Sequence, residues 1–201
     1  MNGAAREPVG VILAGGRGRR LGGSKATVEL GGRPLIMWPL AAMRAAVADV
    51  AVVAKPDTQL PDLDGVAVWR EPGQPSHPLV GIVHALARSG GRSVLVCAAD
   101  LPFVTPAALR RLAGAEAGDA PAVIAAHDGA AHPLLGRYEP ACARLLVAAA
   151  DEGSLPMRRV LSAIGARELE CDEHTLFNIN TPQDLERAQA HLAGRQPNVK
   201  S

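Results

Sequence analysis

Aromatic side chains are almost missing from this chain: two Trp, one Tyr and two Phe amount to 2% of its 201 residues. Trp38, Trp69, Phe103, Tyr138 and Phe177 stand far apart, so no cluster offers the stacking platform that single-stranded nucleic acid requires. An excess of one charge is missing as well. Lys plus Arg number 21 and Asp plus Glu 20, a formal net charge of +1, which argues against charge-driven binding to nucleic acid or to a membrane surface. Cysteine is scarce: Cys97, Cys142 and Cys171 are odd in number and form no CxxC. That speaks against a disulfide scaffold or a cysteine-rich zinc site and for a reducing, cytoplasmic setting. No apolar run approaches the roughly 20 residues of a bilayer span. Met1–Pro8 lacks the apolar stretch of a secretory signal.

What is present is a chain 48% hydrophobic and 20% charged, an ordinary globular balance whose core must be aliphatic. Its length suits one domain with a sizeable core. Val9–Leu13 is a short apolar run of the kind that forms a buried parallel strand. Further strands are predicted at 50–54, 66–69, 93–98, 122–126, 133–138, 167–170 and 176–179. Helices are predicted at 34–47, 79–88, 105–117, 140–150, 156–164 and 181–193. Thr105 with Pro106 and Thr181 with Asp184 mark two helix starts. Gly90-Gly91 is a stop, and His127-Asp-Gly129 is a turn. Strands of four to six residues alternating with longer helices mean βαβ units and a mostly parallel sheet. In such sheets ligands sit outside the carboxyl ends of the strands.

Two features fall at such ends. The loop Leu13-Ala-Gly-Gly-Arg-Gly-Arg-Arg-Leu-Gly-Gly-Ser-Lys25 joins five glycines to Arg17, Arg19, Arg20 and Lys25. Glycines let backbone N–H groups close on an anion, and the basic side chains add charge, which is what a triphosphate needs. The loop is not a P-loop, because Ser24-Lys25 reverses the required order. It is not a dinucleotide fingerprint, because Leu21 stands at the third glycine. Taken alone, the same loop also reads as a solvated basic turn. Asp100 ends the apolar run Val94–Ala99 and precedes Leu101-Pro102, which suits a Mg²⁺ carboxylate. By itself it reads equally well as a helix cap or turn former.

Weaker candidates fall to plainer readings. His77, His127 and His132 have no helical ligand spacing, and a structural or solvent role fits them. Cys97 and Leu145-Leu-Val147 read as core. Ser76 and Ser154 lack a partnered His motif, so nothing supports a serine hydrolase.

Leu13-Ala-Gly-Gly16, Arg19-Arg-Leu-Gly-Gly23 with Lys25, and Gly31-Gly-Arg-Pro-Leu35 resemble the opening of nucleotidyltransferases that use a signature loop instead of a P-loop. Pro78-Leu-Val-Gly-Ile82, Asp100-Leu-Pro102, His132-Pro-Leu-Leu-Gly136 and Asn178-Ile-Asn-Thr-Pro182 follow in that superfamily's order, over roughly residues 9–190. Within it the chain most resembles the molybdenum cofactor guanylyltransferases. The resemblance implies a three-layer, Rossmann-like α/β fold with a mostly parallel sheet. It implies one nucleotidyltransferase domain over 1–201, with an ordered core at about 8–193 and short flexible tails. It also implies Mg²⁺-dependent transfer of GMP from GTP to the phosphate of molybdopterin, with release of pyrophosphate, in molybdenum cofactor biosynthesis. Cofactor delivery or acceptor proteins are the candidate protein partners, with no nucleic acid and no membrane.

Carried onto these residues, the resemblance places Leu13, Ala14, Gly15 and Gly16 along the nucleotide. Arg20 and Lys25 hold the triphosphate, and Asp100 binds Mg²⁺. Lys55 and Glu71 fall at nucleotide-contact positions where the family often has Asn and Asp. His132, Asn178 and Asn180 lie toward the acceptor. The loop before Lys25 is one residue shorter than is usual in the family and lacks the acid before the Lys. Guanylyl members typically read Leu-Ala-Gly-Gly and cytidylyl relatives Leu-Ala-Ala-Gly. Gly15 therefore predicts GTP, on the ground that a Cβ there would project toward the base. The rival readings are a molybdopterin cytidylyltransferase, another small guanylyltransferase, and a nucleotide-binding regulatory module without turnover.

Overall fold

The computed structural model describes residues 6–15, 25–74, 77–151 and 157–195. In chain order the elements are β1 (Val9–Leu13), β2 (Glu29–Leu30), β3 (Arg33–Pro34), α1 (Met37–Arg44), β4 (Val50–Ala54), β5 (Ala67–Arg70), α2 (Pro78–Arg88) and β6 (Val94–Ala98). They continue with α3 (Pro106–Gly114), β7 (Ala122–His127), β8 (Ala130–Tyr138), α4 (Ala143–Asp151), α5 (Met157–Ala163), β9 (Arg167–Glu170) and α6 (Pro182–Arg195).

Seven strands form one sheet in the order β5-β4-β1-β6-β8-β7-β9, and β2 pairs with β3 in a small hairpin. β1 runs parallel to β4 and β6, β4 to β5, and β7 to β9; β8 lies antiparallel to both its neighbours. The expected mostly parallel α/β sheet is what forms. Side chains alternate across each strand, so one apolar run supplies two cores. Ile12, Val52, Leu95 and Cys97 face Leu40 and Met43 of α1 and Leu109 of α3. Val11, Val53, Val94 and Val96 face Leu79 and Ile82 of α2, Leu146 of α4 and Leu161 of α5. Leu30, Leu35, Phe103, Ile179 and Ala188 make a third, smaller core that seats α6 on the hairpin. No helix among the described residues is long and apolar enough to cross a membrane.

Several elements depart from the sequence reading. Pro34 belongs to β3, and the helix begins only at Met37. The segment expected as strand 176–179 instead contains the end of a 3-10 turn, Glu173–Leu176. Asp172 caps that turn through Thr175 N–H at 2.8 Å, and its carboxyl pKa is lowered by the hydrogen bonds from Thr175. β8 starts at Ala130, three residues earlier than expected, because Asp128 and Gly129 take φ values of 47° and 71° and close a tight hairpin with β7. The pairing then slips between Ile124 and Ala125, a bulge that re-aims the end of β7. Of Leu145-Leu-Val147, only Leu146 is core: the helix turns Leu145 and Val147 outward, to 48% and 42% exposure. Thr105 caps α3 through Ala108 N–H at 3.1 Å, as expected.

Candidate functional site

Four neighbouring strands, β5, β4, β1 and β6, end on the same edge of the sheet, and hydrogen bonding continues past each end. Ala14 N–H donates to Val53 O (2.8 Å), Ala99 N–H to Leu13 O (3.0 Å), and Glu71 N–H to Ala54 O (3.0 Å). This fixes the first residues beyond the strands as firmly as the strands themselves. The chain leaves β1 toward β4 on one side and β6 on the other, the topological switch point where open α/β sheets open a crevice. A cavity of about 280 Å³ lies there. Its walls include Leu13, Ala14, Gly15, Lys25, Lys55, Glu71 and Asp100, all of them candidates from the sequence.

At one end, Lys25 opens a short 3-10 turn and reaches Asp100. Its Nζ lies 2.7 Å from Asp100 Oδ2, with both side chains less than one-fifth exposed. The same ammonium donates to Asn180 Oδ1. Asn180 is placed by its own backbone. Its N–H and that of Thr181 donate to Asp184 Oδ2 (3.1 and 2.9 Å), while Asp184 N–H donates to Thr181 Oγ1 (3.2 Å). This is the expected capping box. Burial opposes ionisation of Asp184, but these hydrogen bonds outweigh it and leave the carboxyl pKa lowered. Ile179 N–H adds a bond to Asp100 O (3.0 Å), so the start of α6 is tied to the end of β6.

At the other end, Lys55 follows β4 and Glu71 follows β5. Both residues are 5% exposed, with Lys55 Nζ 3.3 Å from Glu71 Oε1 and donating to Pro72 O at 3.2 Å. Two glycines make room for the carboxylate. A Cβ on Gly15 would stand 2.9 Å from Glu71 Oε1, and one on Gly81 of α2 would stand 3.1 Å from Oε2. A Cβ on Gly15 would therefore meet the Glu71 carboxylate before any other described group.

The structure separates the acceptor-side candidates. Asn180 joins Lys25, Asn178 is exposed, and His132 lies on β8 opposite Ala125, outside the cavity lining. Gly16 and Arg20 lie outside the described residues. Sequence alone gives His77 a structural or solvent-facing role. It both caps α2, with Nδ1 accepting Leu79 N–H at 3.2 Å, and lines the cavity with Pro78 and Gly81. The motif Pro78-Leu-Val-Gly-Ile82 was the signal for these residues, though it carried no role. Cys97 is fully buried beneath the site. Burial, with the nearby Asp100 charge, pushes its thiol pKa up, so it is a core residue and not a nucleophile. Among the described residues, one group could chelate a cation by spacing: His127, Asp128 and Glu170, at the ends of β7 and β9. His127 Nδ1 is already engaged there by Glu170 Oε1 (3.0 Å) and Cys171 O (2.9 Å).

Comparison with known proteins bears on this arrangement. The profile of the MobA-like NTP transferase domain matches residues 10–170. The chain belongs to the MobA-like NTP transferase family. It is a nucleotidyltransferase by family and by fold. A molybdenum cofactor guanylyltransferase of Cereibacter sphaeroides is 34% identical over 91% of this chain and 96% of that relative. One of Acidiphilium cryptum is 38% identical over 90% of this chain and 93% of that relative. The crystal structure of molybdopterin-guanine dinucleotide biosynthesis protein A from Archaeoglobus fulgidus superposes with a TM-score of 0.76 at 29% identity, covering 92% of this chain and 98% of that one.

Proposed function

We propose that this protein is a cytoplasmic molybdenum cofactor guanylyltransferase, acting as a single nucleotidyltransferase domain. It joins GMP from GTP to the terminal phosphate of molybdopterin and releases pyrophosphate. The observation that carries this reading is the Lys25–Asp100 pair at the carboxyl edge of β1 and β6. It sits in a chain 34% and 38% identical to two guanylyltransferases over nine-tenths of its length.

In this reading the nucleotide lies along Leu13, Ala14, Gly15 and Gly16. Its base points toward Lys55 and Glu71, and its triphosphate toward Lys25 and Arg20. The acceptor phosphate attacks the α-phosphorus, a P–O bond forms as the bond to the β-phosphate oxygen breaks, and that bond's electrons leave with pyrophosphate. The attacking phosphate is ionised at pH 7, so no general base and no covalent nucleophile are needed. The chain's own work is to position the reactants and to meet the growing charge with Lys25, Arg20 and backbone N–H groups. Asn180 steadies Lys25, and Asn178 and His132 lie toward the acceptor. Mg²⁺ fits the donor set at Asp100. The carboxylate lies on the cavity wall, and this cation takes one or two protein carboxylates together with phosphate oxygens and water. When bound it supplies charge neutralisation on the phosphates.

The test is pyrophosphate release by the purified protein with GTP and molybdopterin. Release is expected with GTP and a divalent cation, and strongly reduced release with CTP or ATP. Faster use of CTP would make the protein a cytidylyltransferase. GTP binding without any release would make it a regulatory module.

Gly15→Ala is expected to narrow the preference for GTP over ATP by roughly tenfold, since its Cβ displaces the Glu71 carboxylate. Steady-state kcat/KM for the two nucleotides measures it; an unchanged ratio would detach Gly15 from base selection.

A further inference from the structure

The seven-stranded sheet ends in β5 on one side and β9 on the other, and the two edges differ in what they offer a second strand. At β9, Cys171 N–H donates to Ala126 O at 2.8 Å. Arg167 and Leu169 therefore turn their backbone groups to β7, while Glu168 and Glu170 turn theirs outward. An antiparallel strand must place outward-facing residues opposite one another. A copy of β9 laid there about a two-fold axis would set Glu168 against its own copy or against the copy's Glu170. Like charges directly opposite oppose pairing, so this edge is guarded. Arg111 of α3 also occupies Glu170 O, at 3.1 Å. At β5 the same reasoning runs the other way. Glu71 N–H donates to Ala54 O at 3.0 Å, so Ala67 and Trp69 turn to β4, and the N–H and C=O groups of Val68 and Arg70 face outward. No described strand pairs with them. The strand reads Ala-Val-Trp-Arg, without a carboxylate, and Val68 is 37% exposed.

We propose that β5 pairs antiparallel with β5 of a second copy of this chain, joining two sheets edge to edge in a two-fold dimer. The pairing centres on Val68, which lies opposite its own copy, and the two residues exchange both N–H···O bonds. Each Arg70 N–H donates to Val66 O of the other copy; Val66 N–H is already engaged by Leu63 O at 3.3 Å. The side-chain pairs are complementary in this register. Val68 meets Val68, and Trp69 meets Ala67, large against small, on the face where the Arg88 guanidinium lies 5.6 Å from the Trp69 ring centroid. Arg70 lies opposite Val66, so no charge meets its like. A formal net charge of +1 sets little long-range repulsion between the copies. Because β5 runs in opposite directions in the two copies, the cavity beyond its carboxyl end opens at opposite edges of the joined sheet, and neither copy obstructs the other.

The experiment is sedimentation of the full chain over about 1 to 300 µM, a range that suits the weak affinity of a small interface. The unaltered protein is expected to pass from one chain to two. Val68→Lys alone and Val68→Glu alone should each raise the dissociation constant about tenfold or more, since each sets like charges face to face. An equimolar mixture of the two variants should recover the dimer, because only this register puts position 68 opposite itself. A melting curve beside each variant checks the fold. If either variant does not fold, amide exchange on the unaltered protein decides: the Val68 and Arg70 N–H groups should exchange more slowly at high concentration than at low. Recovery in the mixture, or that protection, carries the proposal. A chain that stays single at the highest concentration overturns it and leaves the edge to a different partner or to solvent. Full dimerisation of Val68→Lys, or a mixture that stays monomeric, overturns it as well.

Discussion

Asp100→Asn should lower nucleotidyl transfer at limiting Mg²⁺ on the order of 10³-fold, about 4 kcal/mol of barrier, while the melting temperature hardly moves. The substitution preserves size and an oxygen that can still accept from Lys25 Nζ, but removes the negative charge on which the proposed Mg²⁺ site depends. The fold does not depend on that charge. The link from Asp100 to Ile179 runs through the Asp100 carbonyl, and the ion pair with Lys25 is part-exposed. Initial rates against Mg²⁺ concentration, beside a thermal melt, test this. Near-normal turnover at limiting Mg²⁺ would remove Asp100 from the metal site.

Lys25→Ala should cost about 10²-fold or more in kcat/KM, a few kcal/mol of transition-state stabilisation, because no other described side chain brings a positive charge to the Asp100 end of the cavity. Its expected cost to the fold is at most about 1 kcal/mol, or 2–4 °C for a chain of this size. Its partners are Asp100 and Asn180, two polar groups that water can serve once the ammonium is gone. A sharp fall in melting temperature, with the remaining folded protein fully active, would make Lys25 a structural residue.

The parts of this molecule that were legible in the sequence are those in which local pattern and tertiary demand agree. Val9–Leu13 and Val94–Ala98 are apolar on both faces because helices cover both faces, and uninterrupted aliphatic runs announce that. Thr105 and Thr181 cap helices by bonds that span only three residues, so sequence shows them directly. The β2–β3 hairpin is silent in the sequence because strands of two residues carry no period, and its core partners, Phe103, Ile179 and Ala188 of α6, lie far along the chain. Leu145 and Val147 read as core in the sequence because an apolar triplet does not reveal which of its members a helix turns inward.

In the site, Lys55 and Glu71 stood out only as departures from the family pattern. The clue to their pairing was available: a base closes one strand and an acid closes the next, and β4 and β5 are parallel neighbours in register. Reading that clue requires the strand order, which periodicity does not supply. The link from Asn180 to Lys25 spans 155 positions, and no local rule reaches so far.

That last link bears on how the protein comes off the ribosome. Lys25 and Asp100 are both made well before positions 180 and 179, which supply the residue that holds Lys25 in place and the backbone N–H that ties down Asp100. A nascent chain can bring β1, β4 and β6 together long before its Lys25–Asp100 end is complete. The Lys25–Asp100 end therefore gains its last contacts late, when the segment leading into α6 emerges, and a chain released before that point would carry the sheet without the bonds from Asn180 and Ile179.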